Sequence, residues 1–228
     1  MNRNPTASGR AVSWQLPPHL PFSPSASPVF YGWIILVVGI VGVVMSSPGQ
    51  TIGVSAFTDF LVRDLAISAT NLSLAYLIGT LASSFVLPYA GRAYDRYGAR
   101  LMGMTVAVAL GGVLVGLSLL PQVLSFLHTR WPGLQSAPTA FGLMSLGFFL
   151  LRFCGQGALT LVSRNMVLKW FERRRGLVNS FVGVATTLGF SASPLIFNSM
   201  IQHWGWQGTW RLLGLMIAIP LAGSFLVL

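Results

Sequence analysis

Arg152 lies about midway along a long apolar stretch, residues 139–162, and is the one strongly ionised side chain well inside such a stretch. A cation there is costly, roughly 2.5–3.5 kcal/mol on insertion scales, so it must face a cavity or a partner. The four acidic residues all lie in loops or at the ends of apolar stretches: Asp59, Asp64, Asp95 and Glu172. None is placed to pair with Arg152. We therefore expect Arg152 to face a central cavity and attract an anionic substrate.

Two glutamines are the other candidate ligands. Gln156 follows Arg152 by one helical turn on the same face, where it could donate or accept a hydrogen bond. Gln50 lies in the first apolar stretch beside Pro48 and Gly49. An alternative stays open for each site: Arg152 could brace helices by bonding backbone carbonyls, and Gln50 could satisfy backbone groups freed by a kink at Pro48.

Other kinds of chemistry find little support. Cys154 is the only cysteine, so the chain has no internal disulfide and no cysteine pair for a metal. No histidine lies in an apolar stretch, which disfavours a proton relay and an intramembrane serine protease. The segment 189–193 also lacks the second glycine that such a protease needs. We expect neither an enzyme nor a cofactor, and no acidic ring or paired half-helix motif indicates a channel filter.

Composition indicates the surroundings of these residues. The chain has 228 residues, of which 54% are hydrophobic and 8% are charged, whereas a soluble domain carries about 25% charged residues. The net charge of +10 does not indicate nucleic acid, because the cations form short clusters between long apolar runs. We predict an all-α integral membrane protein whose main partner is the lipid bilayer.

Six apolar stretches each approach the roughly 20 residues that cross a bilayer as a helix. They cover residues 31–57, 72–89, 101–120, 139–162, 177–200 and 210–228. At the start of the second stretch we expect Asn71 to cap the helix, and Ser73 and Tyr76 to serve in capping and packing.

The positive charges predict an orientation. One side carries ten cations: Arg3, Arg10, Arg92, Arg96, Arg100, Arg164, Lys169, Arg173, Arg174 and Arg175. The other side carries three: Arg63, Arg130 and Arg211. This bias predicts a cytoplasmic N-terminus, in the plasma (inner) membrane. Residues 1–28 are rich in proline and serine and are expected to form a disordered cytoplasmic tail. Since the last residues are still apolar, we expect a chain truncated at its C-terminus.

A short loop joins the second and third stretches: Gly91-Arg-Ala-Tyr-Asp95-Arg-Tyr-Gly98-Ala-Arg100. Its arginines could simply orient the protein. The loop also resembles the signature loop of the major facilitator superfamily, with a glycine, then Asp-Arg, then a glycine and a basic residue. The resemblance implies a gate latch on the cytoplasmic side that contacts the other half of the transporter. The gating residues would be Gly91, Asp95, Arg96, Gly98 and Arg100.

A second segment narrows the resemblance. Residues 170–180 are similar to the stretch before the fifth helix of monocarboxylate porters and oxalate:formate antiporters, and Tyr31-Gly32-Trp33 is similar to their opening signature. Many members of the superfamily also carry an arginine in the fourth helix followed by Gln-Gly, as Arg152 is followed here by Gln156-Gly157. The resemblance implies transport of small organic anions such as monocarboxylates, with no cofactor.

A weak internal duplication fits this family. Residues 48–51 (Pro-Gly-Gln-Thr) echo residues 154–157 (Cys-Gly-Gln-Gly), and Pro88 precedes Gly98 by about as many residues as Pro194 precedes Gly205. A 3+3 helix repeat is the plan of a six-helix transporter half that rocks against a second half. We expect residues 29–228 to form the N-terminal half of such a carrier, working by alternating access. The alternatives are a truncated remnant that does not transport, or a half that acts only when assembled with a second half or copy.

Overall fold

The computed structural model describes residues 31–131 and 136–228, and throughout these ranges the secondary structure is helical, without strands. The α-helices are α1 (Tyr31–Met45), α2 (Thr51–Ser55), α3 (Thr58–Asp64), α4 (Ala69–Ser118), α5 (Leu120–Arg130), α6 (Ser136–Leu151), α7 (Thr160–Trp170), α8 (Arg175–Met216) and α9 (Ala222–Val227). Two 3-10 turns, Ser47–Gly49 and Glu172–Arg174, and two π-helical segments, Arg152–Leu159 and Ile217–Leu221, connect them. The all-helical prediction is confirmed for this part of the chain, and the expected tail, 1–28, lies outside it.

Within the described ranges, four helical stretches are long and apolar enough to cross a bilayer: Tyr31–Gly49, Ala69–Ser118, Ala137–Trp170 and Glu172–Val227. Each contains a window with a mean hydropathy of at least 1.4. Large apolar side chains cover the outside as well as the core, and Phe85 and Leu195 are more than three-quarters exposed. A helix bundle with apolar residues on both sides has lipid as its natural surroundings.

The longest helix, α4, turns back on itself at Gly98. Its 50 residues would reach about 75 Å if straight, against a hydrocarbon core of about 30 Å. Gly98 has φ 79° and ψ 174°, a conformation outside the helical region. Gly79 and Leu117, on opposite sides of Gly98, both pack against the same turn of α6, at Phe148 and at Gly147. The two arms of α4 therefore lie side by side.

Helix α8 turns back at Gly205 in the same way. Gly205 has φ 68° and ψ 168°. The rings of Phe197, before the turn, and Trp210, after it, lie 5.8 Å and 5.0 Å from the ring of Phe57. A straight helix would separate two residues thirteen positions apart by about 20 Å. The contact with one ring shows that this helix also forms a hairpin.

The first apolar stretch is not one continuous helix. The prediction of a single span over 31–57 differs from the structure, in which α1 ends at Met45 and a 3-10 turn with Pro48 follows. Gln50 then takes an extended conformation, with φ −85° and ψ 157°, before α2 begins. Proline cannot donate a backbone hydrogen bond and blocks the preceding helical turn, so the helix breaks at this point.

The predicted helix cap at Asn71 is wrong. Helix α4 begins after Ser68, whose hydroxyl accepts a 3.1 Å hydrogen bond from the backbone N–H of Asn71. Serine is as good a cap as asparagine, and it lies three residues earlier, where it satisfies an otherwise free N–H group. Asn71 is therefore the residue that donates to the cap, inside the first turn.

Candidate functional site

Arg152 is buried, with 7% of its surface exposed, although it carries a charge in an apolar region. Its Nη1 donates to the carbonyl oxygen of Gly49 at 3.3 Å and to the hydroxyl of Thr51 at 3.4 Å. The guanidinium carbon lies 5.1 Å from the ring centroid of Tyr76, a cation–π contact. Its Nε has no hydrogen-bond partner among the described residues. All of these partners are neutral, so they leave the positive charge uncompensated.

The carbonyl of Gly49 is available to Arg152 because the first stretch breaks there. The N–H of Gly53, which would reach Gly49 in a regular helix, bonds to the carbonyl of Gln50 at 3.0 Å instead. Gly49 also lies so close to Gly155 that a Cβ on Gly49 would be 2.8 Å from the Cα of Gly155. Two glycines thus let the broken first stretch approach the segment that carries Arg152.

That segment, Arg152–Leu159, is π-helical over eight residues. A π-helix bonds each residue to the one five positions later, is rare, and is often found at functional sites. The hydroxyl of Thr160, five residues beyond Gly155, bonds to its carbonyl at 3.3 Å. The wide turns place Arg152 against the break at Gly49 and leave Gln156 exposed.

The two candidate glutamines lie in different surroundings. The Nε2 of Gln50 donates to the hydroxyl of Ser46 at 3.1 Å and lies 3.5 Å from the hydroxyl of Thr160, and these two hydroxyls are 3.1 Å apart. Gln50 therefore ties the break to α7 through side chains, rather than satisfying freed backbone groups. Gln156 makes no hydrogen bond with Arg152 or Gln50 within the described residues.

A pocket of about 170 Å³ lies beside Arg152, and its walls come from α2, α3, α4 and α6. It is lined by Thr51, Val54, Ser55, Thr58, Leu72, Ser73, Tyr76 and Phe148. The hydroxyls of Thr51 and Tyr76 are 2.8 Å apart, and both residues contact Arg152. The sequence assigned Tyr76 to packing and passed over the side chain of Thr51, since neither residue type carries a charge that would distinguish it.

The predicted gating residues lie on both sides of the turn of α4 and at the turn itself. The carboxylate of Asp95 is 3.8 Å from the ammonium of Lys169 in α7, with both side chains more than 60% exposed. The same ammonium lies 4.6 Å from the ring centroid of Tyr94. Arg96 is against the ring of Tyr97, at 5.4 Å. Two of the predicted residues are thus at the surface, where ions and other chains can reach them.

The glycines and the last arginine of this loop have separate positions. Gly98 forms the turn itself. Gly91 lies within the helix, and nothing is within 4 Å of the place a Cβ would occupy. Arg100 donates to the carbonyl oxygen of Leu228, which also accepts a 2.8 Å hydrogen bond from the hydroxyl of Tyr31. The turn of α4 is therefore held against α9 and the start of α1.

A hydrogen bond near the turn of α8 was missed by the sequence analysis. The indole Nε1 of Trp206 donates to a carboxylate oxygen of Asp64 at 2.7 Å, and Arg63 contacts the other oxygen at 3.0 Å. The bond from Trp206, with help from Arg63, holds the pKa of Asp64 below its usual value against the opposing effect of burial. No motif joins two residues so far apart in sequence.

Among the described residues, no group of three or more His, Cys, Asp or Glu could hold a metal.

Comparison with known proteins supplies the family. The model of the Major Facilitator Superfamily matches residues 39–228. The chain is similar to MFS-type transporter 1 of Ophiocordyceps sp. (strain BCC 1869), with 24% identity over 95% of this chain and 43% of the relative. It is also similar to Monocarboxylate transporter 6 of Homo sapiens, with 26% identity over 81% of this chain and 33% of the relative. No solved structure matches.

The chain thus spans less than half the length of these two curated relatives. The matched region contains the break in the first stretch, Arg152, both hairpin turns and the pocket, while the apolar helices agree with a protein embedded in the lipid bilayer. The family is one of transporters that carry small molecules, in keeping with the relatives' names. The resemblance seen in the signature loop is confirmed: the chain belongs to the Major Facilitator Superfamily.

Proposed function

We propose that this chain is the N-terminal half of a secondary transporter that moves small organic anions, such as monocarboxylates, by alternating access. The observation that carries the proposal is the buried Arg152, which has neutral partners and lies beside a pocket lined with hydroxyls. An uncompensated cation in a membrane protein attracts an anion more strongly than it would in water. One relative of the chain carries the name of a monocarboxylate transporter.

Six spans in a 3+3 repeat are part of the proposal. The hairpin turns at Gly98 and Gly205 divide α4 and α8 into two arms each, which turns four long helical stretches into six segments. The two turns have nearly the same dihedral angles. Residues 48–51 and 154–157, which echo each other in sequence, also meet in space through Gly49 and Gly155. Contact between equivalent residues is what an internal two-fold axis produces.

The same proposal includes the orientation of the chain in the membrane and the role of the gating loop, residues 91–100. Ten cations on one side would place the N-terminus in the cytoplasm, and the bilayer would be the plasma (inner) membrane. Asp95 and Arg96 are exposed, and in this orientation they would lie on the cytoplasmic side, where a second half of the transporter could contact them. Gly91, Gly98 and Arg100 would shape and anchor this gating loop. Gln50, which is held by Ser46 and Thr160, and exposed Gln156 would contact the substrate together with Arg152.

Uptake by reconstituted protein tests the role of Arg152. Reconstituted in liposomes densely enough for two copies to pair, the purified chain should take up radiolabelled lactate and discriminate against lactamide, which is neutral and of similar shape. We expect Arg152→Gln to lower lactate uptake by roughly tenfold or more, because the charge that attracts the carboxylate is lost. Arg130→Gln, an equal change at an exposed site on α5, is the matched control. Normal uptake by Arg152→Gln would refute the role of this residue.

A second candidate is a half that works only when assembled, or a remnant that does not transport. The chain spans 43% and 33% of the lengths of the two relatives, which are transporters by name. Lactate binding, followed by thermal unfolding in detergent, and the molar mass of the protein–detergent complex distinguish these functions. Binding without uptake by a monomer indicates a half that needs its partner. A folded chain that neither binds nor transports any carboxylate indicates a remnant.

A further inference from the structure

A groove of about 680 Å³ lies between the start of α1, the end of α7 and the start of α8, and it shares no lining residue with the pocket beside Arg152. We call it the basic groove. The residues of it that matter here are Trp33, Lys169, Trp170, Arg173, Arg174 and Phe181. It is four times as large as the pocket beside Arg152, so a small carboxylate would leave it mostly empty.

The positive charge of the groove is only partly used by the protein. Lys169 is 3.8 Å from Asp95, and the acid of the groove, Glu172, is 3.7 Å from Arg175. Within the described residues, the guanidinium groups of Arg173 and Arg174 make no ion pair. Helix α8 begins beside them without a side-chain cap and without an acid in its first turn. An anion with several acceptor oxygens would accept hydrogen bonds both from the guanidinium groups and from the backbone N–H groups in the first turn of α8.

The apolar part of the groove presents exposed aromatic side chains. Trp33 is 59% exposed and Phe181 is 62% exposed, and both lie at the edge of apolar helices. Tryptophan near the end of a membrane helix favours the level of the lipid headgroups. A ligand that carries a negative headgroup joined to hydrocarbon chains would meet the arginines and the aromatic rings together.

We propose that the basic groove binds one anionic glycerophospholipid, with its phosphate between Arg173 and Arg174 and its acyl chains along Trp33 and Phe181. The argument is charge complementarity combined with size: the groove is basic, partly apolar, and large enough for a headgroup and the first methylene groups. It does not use Arg152 or the transport function, so the two proposals stand or fall separately.

Native mass spectrometry of the purified chain in mild detergent tests the proposal. With equal amounts of phosphatidylglycerol and phosphatidylcholine present, we expect one phosphatidylglycerol to stay bound at several times the occupancy of phosphatidylcholine. Arg173→Gln/Arg174→Gln should lower phosphatidylglycerol binding by roughly tenfold, since each basic residue contributes to headgroup binding. Arg173→Lys/Arg174→Lys should keep most of it, which excludes misfolding as the cause.

A matched control removes the same charge elsewhere. Arg92→Gln/Arg164→Gln changes two exposed arginines that do not line the groove and should leave lipid binding unchanged. An equal loss in this variant would overturn the proposal, because it would show diffuse attraction to the surface. Equal retention of the two lipids by the unaltered chain would overturn it as well.

Two further measurements separate the lipid from other occupants. Phosphatidylglycerol with a spin label on its acyl chain should quench tryptophan fluorescence, and Trp33→Phe should reduce the quenching. Inorganic phosphate should not displace the lipid at equal concentration, which distinguishes a lipid site from a simple anion site. If Phe181→Ala instead converts a detergent-stable dimer to a monomer, the groove is an interface between copies and the lipid proposal is wrong.

Discussion

The indole of Trp206 donates a 2.7 Å hydrogen bond to the carboxylate of Asp64, which ties the turn of α8 to the end of α3. A second tie, between Asp95 and Lys169, joins the segment just before the turn of α4 to the end of α7 at a longer 3.8 Å. Each glycine hairpin is thus linked to another helix through a carboxylate. The hairpin of α8 contacts Asp64 of α3, and the hairpin of α4 contributes Asp95, which contacts α7. The two ties differ in strength, because the first is short and partly buried and the second is exposed.

Trp206→Phe should destabilise the protein by about 1.5 to 3 kcal/mol, the usual contribution of a hydrogen bond to a charged group. The substitution keeps the aromatic packing against Trp210 while it removes the N–H donor. Thermal unfolding of the purified chain in detergent measures the loss. Trp204→Phe is the control, because the indole of Trp204 is 59% exposed and makes no such bond. Equal melting temperatures for the two variants would contradict the role of the bond.

The same pair predicts a dependence on pH. The pKa of Asp64 is lower in the folded than in the unfolded protein, with the Trp206 bond as the largest cause. The stability that this carboxylate contributes is therefore complete above its unfolded pKa, about 3.9, and is lost as the pH falls through the lower folded value. The difference in melting temperature between the unaltered chain and Trp206→Phe should shrink below about pH 4. A constant difference down to pH 3 would argue against this linkage.

The Asp95–Lys169 pair should contribute little to stability. Both side chains are more than 60% exposed and 3.8 Å apart, and exposed ion pairs contribute less than about 1 kcal/mol. A double-mutant cycle with Asp95→Asn and Lys169→Gln should give a coupling energy in this range, measured by unfolding in detergent at low salt. A coupling well above that value would indicate that the tie holds the fold. An effect of Asp95→Asn on uptake without a change in stability supports its proposed role in gating.

Gly98 and Gly205 should tolerate no side chain without a cost. Their φ angles of 79° and 68° combine with ψ angles near 170°, a region almost restricted to glycine. We expect Gly98→Ala and Gly205→Ala each to lower the free energy of unfolding by about 1 to 3 kcal/mol. Gly183→Ala serves as the control, since Gly183 lies within helical α8 with open space around it. The free energy of unfolding of the three variants is measured in detergent. Equal values for all three would contradict the prediction.

Gly155→Ala tests the contact that positions Arg152. A Cβ on Gly155 would lie 2.9 Å from the Cα of Gly49, and backbone cannot move aside as a flexible side chain can. Overpacking of this kind costs about 1 to 3 kcal/mol, and it would also move the π-helical segment away from the break. Gly112→Ala, where nothing lies within 4 Å, should be neutral or stabilising. Loss of lactate binding in Gly155→Ala alone would link the contact to the site.

Much of the helical architecture was predictable from the sequence, for particular reasons. Long apolar runs require helices in a bilayer, because every backbone group must be satisfied within the segment. The single span expected over residues 31–57 was wrong, although a kink at Pro48 was left open and the break there follows from the missing N–H of proline. A short connection was expected over residues 91–100, and Gly98 is a non-helical glycine there, whereas Gly91 lies within helical α4.

The site was less predictable, since its contacts join distant parts of the chain. Arg152 was expected to need a partner, yet that its guanidinium bonds to the carbonyl of Gly49 depends on how α1 meets the π-helical segment. Sequence spacing treated residues 152–159 as α-helical and placed Gln156 on the same face as Arg152. The bond between Trp206 and Asp64 crosses 142 positions. Such contacts follow from packing and not from local pattern.

The π-helical segment at Arg152–Leu159 has a consequence for motion within the fourth stretch. An α-helical turn holds 3.6 residues, and a π-helix forms where one additional residue is accommodated within the ladder of hydrogen bonds. If that extra residue passes along the helix, the part that it crosses rotates by about 100°, the angle between successive residues. Such a register shift would move the guanidinium of Arg152 away from Gly49 and Thr51. Helix α7, which contacts Gln50 through Thr160, would stay in place.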